Sequence, residues 1–176
     1  MKQFRISFLV VVLFLGLTAI VQAAETDTVA VKVTISASLS VDITETEIDL
    51  GDVNVGTTTQ SASGVTITND GSGINETYSL NLTNPSGWTA AAAAGAETYV
   101  LNAAFDSDGA ITWDTANHAL TTALVASSGT QFADDQTGLS VPYNETRTLW
   151  FQFLAPTVTS ETSEQTITVT ITAQAG

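Results

Sequence analysis

Val29-Ala30-Val31-Lys32-Val33-Thr34-Ile35-Ser36-Ala37-Ser38-Leu39-Ser40-Val41-Asp42-Ile43-Thr44 is the stretch that decides the fold class of this 176-residue chain. Its odd positions are Val, Val, Val, Ile, Ala, Leu, Val and Ile, and its even positions are Ala, Lys, Thr, Ser, Ser, Ser, Asp and Thr. Successive side chains of a strand point to opposite faces, so this period of two gives one apolar and one polar face. A helix would scatter the same residues around its axis. At about 3.4 Å per residue the stretch reaches roughly 50 Å, far beyond a usual strand of about 5 to 6 residues. It therefore breaks into two strands near Ser36 to Ser38, or part of it projects beyond the domain.

Working outward, the same period recurs in short pieces separated by turn formers. Ile48 and Leu50 precede Gly51, and Val53 and Val55 precede Gly56. Val65 to Thr68 ends at Asn69-Asp70-Gly71, residues that tolerate positive φ. Tyr78, Leu80 and Leu82 alternate until Asn84-Pro85-Ser86-Gly87 stops them. The Ala-rich run from Ala90 to Ala96 reads as a short helix or as a loop, because Gly95 interrupts it and no cap or apolar stripe supports it. Further strands are expected at Tyr99 to Phe105, Ile111 to Trp113, Leu120 to Ala126, Leu139 to Val141 and Thr166 to Ala173. Leu149-Trp150-Phe151-Gln152-Phe153-Leu154 is apolar on both faces, the mark of a central strand covered by two layers. Some eight to ten short strands predict an all-β, antiparallel sandwich, since each sheet must bury its apolar face against another.

Before this body the chain follows secretory grammar. Lys2 and Arg5 precede an apolar run from Phe8 to Val21, and Val21-Gln22-Ala23 supplies small residues for cleavage. The segment from Ile6 to Ala24 approaches the length of a membrane span, but its short apolar core and Ala-rich end favour removal. The expected organisation is a signal peptide over 1–23 and a single domain over 24–176, secreted or at the cell surface, with no membrane span once the leader is cleaved. Cysteine is absent, which excludes disulfides, thiol catalysis, lipoprotein anchoring and Cys-based zinc sites. Stability then rests on the core alone.

The net charge is −14, and Lys32 and Arg147 are the only basic residues after the leader, against all 18 acidic ones. Such a surface repels nucleic acid, which needs clustered Lys and Arg to displace counterions. Catalysis is poorly provided for. His118 is the only imidazole, its surroundings carry no hydrolase signature, and the acids sit mostly in turns beside Gly, Ser or Thr. No cofactor is expected apart from calcium. Asp106-Ser107-Asp108-Gly109 offers two carboxylates and a Gly for the bend, and Asp114, Asp134 or Asp135 would complete an oxygen cage. An Asx turn explains the same residues without metal. Asn75, Asn81 and Asn144 each begin an Asn-x-Thr sequon, of use only in a glycosylating host. Trp88 and Trp113 are candidates for an exposed platform that stacks on glycans, whereas Trp150, between Leu149 and Phe151, reads as core.

The stretch from Ile48 to Thr57, followed by Val65 to Gly71, resembles the opening of bacterial immunoglobulin-like surface domains. Val141-Pro142-Tyr143-Asn144-Glu145-Thr146-Arg147-Thr148-Leu149-Trp150-Phe151 is similar to the turn and strand that close such modules. The overall layout of leader, one sandwich and Thr-rich last strand is more faintly similar to the camelysin and TasA class of secreted, fibre-forming sandwiches. The resemblance implies an immunoglobulin-like β-sandwich with a non-catalytic structural or cell-surface role. Separately from the resemblance, the long alternating segment Val29 to Ile43 suggests that the chain partners itself or other envelope proteins through that N-terminal strand, added to a neighbour's sheet edge. The alternative is a carbohydrate-binding or adhesion module.

Overall fold

The computed structural model describes residues 28–176. The signal peptide expected over 1–23 lies outside them. Among the described residues the architecture is all-β apart from one helical turn. Nine strands run in the order β1 (Val41–Ile43), β2 (Thr58–Gln60), β3 (Val65–Asn69), β4 (Glu76–Thr83), β5 (Thr89–Ala90), β6 (Thr98–Phe105), β7 (Val125–Ala126), β8 (Thr146–Leu154) and β9 (Thr168–Ala175). The helical turn, α1 (Thr115–His118), lies between β6 and β7. Residues 28–40 carry no secondary structure and are exposed throughout.

The larger sheet has the order β1-β3-β8-β6-β5, and β2 also pairs with β8. Strands β2 and β3 lie along the same side of β8, one after the other. Gln60 faces Gln152 and Val65 faces Leu149, so four residues, Ser61 to Gly64, oppose only two. The buried Ser61 holds this bulge, donating its N–H to the Phe151 carbonyl while its hydroxyl accepts the Phe151 N–H. The smaller sheet is β7-β4-β9, with β4 and β9 in continuous register from Glu76 opposite Ala175 to Thr83 opposite Thr168.

Alternation explains the core. Val65 and Ile67 from β3, Leu101 and Phe105 from β6, and Leu149, Phe151 and Phe153 from β8 meet Tyr78, Leu80 and Leu82 of β4 in one cluster. Burying each large apolar side chain contributes about 1.5–3 kcal/mol, which is how a chain without disulfides holds together. The outward side of β6 is covered as well, with Val100, Asn102 and Ala104 buried. Asn102 donates to the Gln152 side chain and to Thr115 of α1, so the segment after β6 folds back over the sheet.

Several expectations are corrected. The stretch from Val29 to Thr44 forms a strand only at Val41–Ile43. Ile48, Leu50, Val53 and Val55 lie outside the strands. Three of them, Ile48, Leu50 and Val53, still pack on the core, so their alternation records burial without pairing. Ile111 to Trp113 leads instead into α1, which Asp114 caps by accepting the Ala116 N–H. Leu120 to Ala126 shrinks to the two residues of β7, and Leu139 to Val141 to one bridge between Val141 and Glu76. The Ala-rich run is a loop, entered from β5. The sheets are also not purely antiparallel, because β5 runs parallel to β6. A tight turn in which Gly95 and Thr98 bond each other, with Glu97 at φ 51, reverses the chain beside itself and makes that short pairing possible.

Candidate functional site

The departure of the N-terminal segment is built with care. Ser38 donates its N–H to the Ser72 hydroxyl at 2.9 Å, and its carbonyl accepts the Ser72 N–H at 2.9 Å. Ser40 donates to Glu76 Oε1 at 2.7 Å, and its carbonyl accepts the Asp70 N–H. These bonds tie Ser38 and Ser40 to the turn between β3 and β4. The turn is itself fixed by Asn69, fully buried, whose amide donates to the carbonyls of Ile74 and Val141 while its Oδ1 accepts the Gly71 N–H. Upstream, Val29, Val31, Val33 and Ile35 are 87%, 80%, 77% and 87% exposed. Four large aliphatic side chains at alternate positions thus stand in water, where isolated exposed apolar residues would be ordinary but a periodic row is not.

The aspartates occupy two facing turns. Asp106 Oδ1 accepts the N–H groups of Asp108 and Gly109, and Asp108 accepts the Ala110 N–H. Asp135 accepts the Ser107 N–H at 2.7 Å and the Ser107 hydroxyl, and Asp134 accepts the Thr112 N–H. Asp114 is turned to α1, taking the Ala116 N–H and the Asn117 amide. Asp106, Asp108 and Asp114 therefore each hold a local backbone turn. Among the described residues no group of three or more His, Cys, Asp or Glu converges as metal ligands.

Each indole N–H is engaged. Trp88 is half-buried, stacks on Phe153 at 5.9 Å, and donates to the Thr159 hydroxyl, which in turn donates to Glu97. The Thr159 hydroxyl and the Ser160 N–H hold the Glu97 carboxyl below its usual range. Trp113 donates to Gln60 and meets His118 edge-on. Trp150 donates to the Asp106 carbonyl and lies against Gly64 and Gly109, where a Cβ would come within 2.9 Å of its ring. It covers the outer side of β8 and is half-buried, outside the central core where the sequence placed it. His118 is buried, with Nδ1 accepting the Asp114 N–H and Nε2 facing the Ala133 carbonyl at 3.1 Å, the arrangement of a structural imidazole.

A cavity of about 790 Å³ opens beside β5, α1 and β7. Asn84, Gln131, several Thr and Ala residues, Leu120 and Val125 line it, without an ionisable side chain. Its chemistry is that of a neutral surface with amide and hydroxyl groups, and no residue in the lining has the character of a general acid or base. The sequons are placed differently from one another: Asn75 and Asn144 are exposed in turns, whereas Asn81 is half-buried in β4. Among the described residues no helix is long and apolar enough to cross a membrane. Compared with known proteins, the chain matches no family model and no curated sequence.

Proposed function

We propose that this chain is a non-catalytic, exported structural subunit, an immunoglobulin-like sandwich that assembles with itself or with other envelope proteins through its N-terminal segment. The observation that carries the reading is the exposed row Val29, Val31, Val33 and Ile35, a strand pattern without a strand partner among the described residues. Such a row gains main-chain hydrogen bonds and apolar burial when it adds to a sheet edge elsewhere. Export is supported by the leader-like sequence from Lys2 to Ala23, and the absence of cysteine accords with a domain that relies on its core. Electron microscopy of the protein should reveal ordered assemblies, and a variant lacking residues 24–37 should leave dispersed monomers. Equal assembly by that variant would remove the reading.

A glycan-binding role is the second reading, supported by the neutral cavity lined with Asn84, Gln131 and threonines. Calcium at Asp106, Asp108 and Asp114 is a separate proposal, supported by the Asp106-Ser107-Asp108-Gly109 sequence, with its two carboxylates two residues apart and a Gly for the bend. A calcium titration that leaves the melting temperature unchanged disposes of it.

A further inference from the structure

We propose that the acceptor for the segment Val29–Ile35 is the free edge of β9 on a second copy of this chain. The inference rests on the assembly reading above and adds to it the surface that receives the segment.

Strand β9 pairs with β4 over its whole length and ends the smaller sheet, with the three-residue β1 of the larger sheet packed near part of it without pairing. Among the described residues no hydrogen bond reaches the backbone groups on its other side. Edge strands are usually blunted by charge, Pro, a bulge or shortness. The sequence Thr168-Val169-Thr170-Ile171-Thr172-Ala173-Gln174-Ala175 carries no charge and no Pro, and its pairing with β4 is unbroken. The other outer strands offer little template: β5 and β7 have two residues each, and β1 and β2 have three.

A second observation concerns side chains. Ile167, Val169, Ile171 and Ala173 face the core, yet all four are only partly buried. Their counterparts on the neighbouring β4, Tyr78, Leu80 and Leu82, are fully enclosed. The apolar interior is therefore left incompletely covered along β9, and another strand laid against this edge would close it. The exposed segment supplies what is missing: Val29, Val31, Val33 and Ile35 match the row Ile167, Val169, Ile171 and Ala173 four for four at the same period. Ala30, Lys32 and Thr34 then share the polar face with Thr168, Thr170 and Thr172. Lys32, the one charge in the segment, meets no like charge there, because β9 carries none.

The chain lacks cysteine, so single cysteines give a clean test. Protein carrying Thr34→Cys is mixed with protein carrying Thr168→Cys, Thr170→Cys or Thr172→Cys and mildly oxidised, with Leu124→Cys beside β7 as the comparison. Same-face neighbours on paired strands lie within disulfide range. The expected result is a cross-linked heterodimer with at least one β9 cysteine and none with Leu124→Cys. Adding Val31→Lys and Val33→Lys to the Thr34→Cys copy should abolish it, with circular dichroism verifying that the domain stays folded. Cross-linking to Leu124→Cys instead, or to neither site while arm-dependent assemblies still form, overturns the β9 acceptor and leaves the assembly reading standing. A Thr34→Cys, Thr170→Cys double variant that closes within one chain and stays monomeric overturns the second copy as occupant. A protein that is monomeric with and without residues 24–37 ends both.

Discussion

At Asn69 one side chain settles three backbone groups. Its amide donates to the carbonyls of Ile74 and Val141, and its Oδ1 takes the Gly71 N–H, the side chain itself being fully buried. The Val141 carbonyl keeps the Glu76 N–H, but the Ile74 carbonyl and the Gly71 N–H lose their partners at about 1–3 kcal/mol each, so Asn69→Ala should destabilise the domain by roughly 3 kcal/mol. Asn69→Asp should be nearly as harmful, because it removes both donors. Urea unfolding followed by circular dichroism checks both. Two buried tyrosines give a pH dependence. Burial pushes the Tyr99 hydroxyl up to about 12, and burial reinforced by the nearby Glu76 carboxyl raises Tyr78 further still. The unfolded chain ionises its tyrosines near their ordinary value of about 10, so above that pH it binds fewer protons than the folded chain. The stability from keeping these hydroxyls neutral is fully present below pH ~10 and lost as pH rises toward and through ~12. Melting temperature should fall steeply over that window. A melting temperature that stays level across it would contradict the burial of these rings.

The elements most legible in the sequence are those where alternation coincides with pairing. Val65 to Asn69, Tyr78 to Leu82, Tyr99 to Phe105 and Leu149 to Leu154 all lie in strands, because both their side chains and their backbones are committed to the interior. Ile48, Leu50 and Val53 have the same pattern but line the core from an unpaired segment. A period of two reports which side chains are buried and says nothing of where the backbone hydrogen bonds go. The turn over Trp150 was half legible. Asp106 to Gly109 announces a bend, but nothing in the sequence says that Gly109, at φ +83, passes against the ring of Trp150. An alanine there meets both an unfavourable backbone angle, costing about 1–2 kcal/mol, and the indole. Gly109→Ala should therefore lower stability by more than that backbone term alone, and the excess should vanish in a Trp150→Ala background. A double-mutant cycle in urea measures this coupling.

For the whole molecule, two features from opposite ends of the chain belong together. The N-terminal row is apolar without being buried, and the C-terminal strand is an edge without being protected. The row was legible from periodicity, though its exposure was not; the edge was not legible either, because a strand becomes an edge through topology, here through β9 pairing with β4 alone among the described strands, with part of β1 packed nearby. The acidity of the chain adds a constraint. Like-charged copies repel at a distance, so association depends on short-range burial and backbone bonding, and it should strengthen with salt as that repulsion is screened. Hydrogen exchange on the assembled protein tests the central claim most directly. The account predicts that the amides of residues 29–35 exchange freely in dilute monomer and become strongly protected in the assemblies. Assemblies in which those amides still exchange as fast as in the monomer would contradict it.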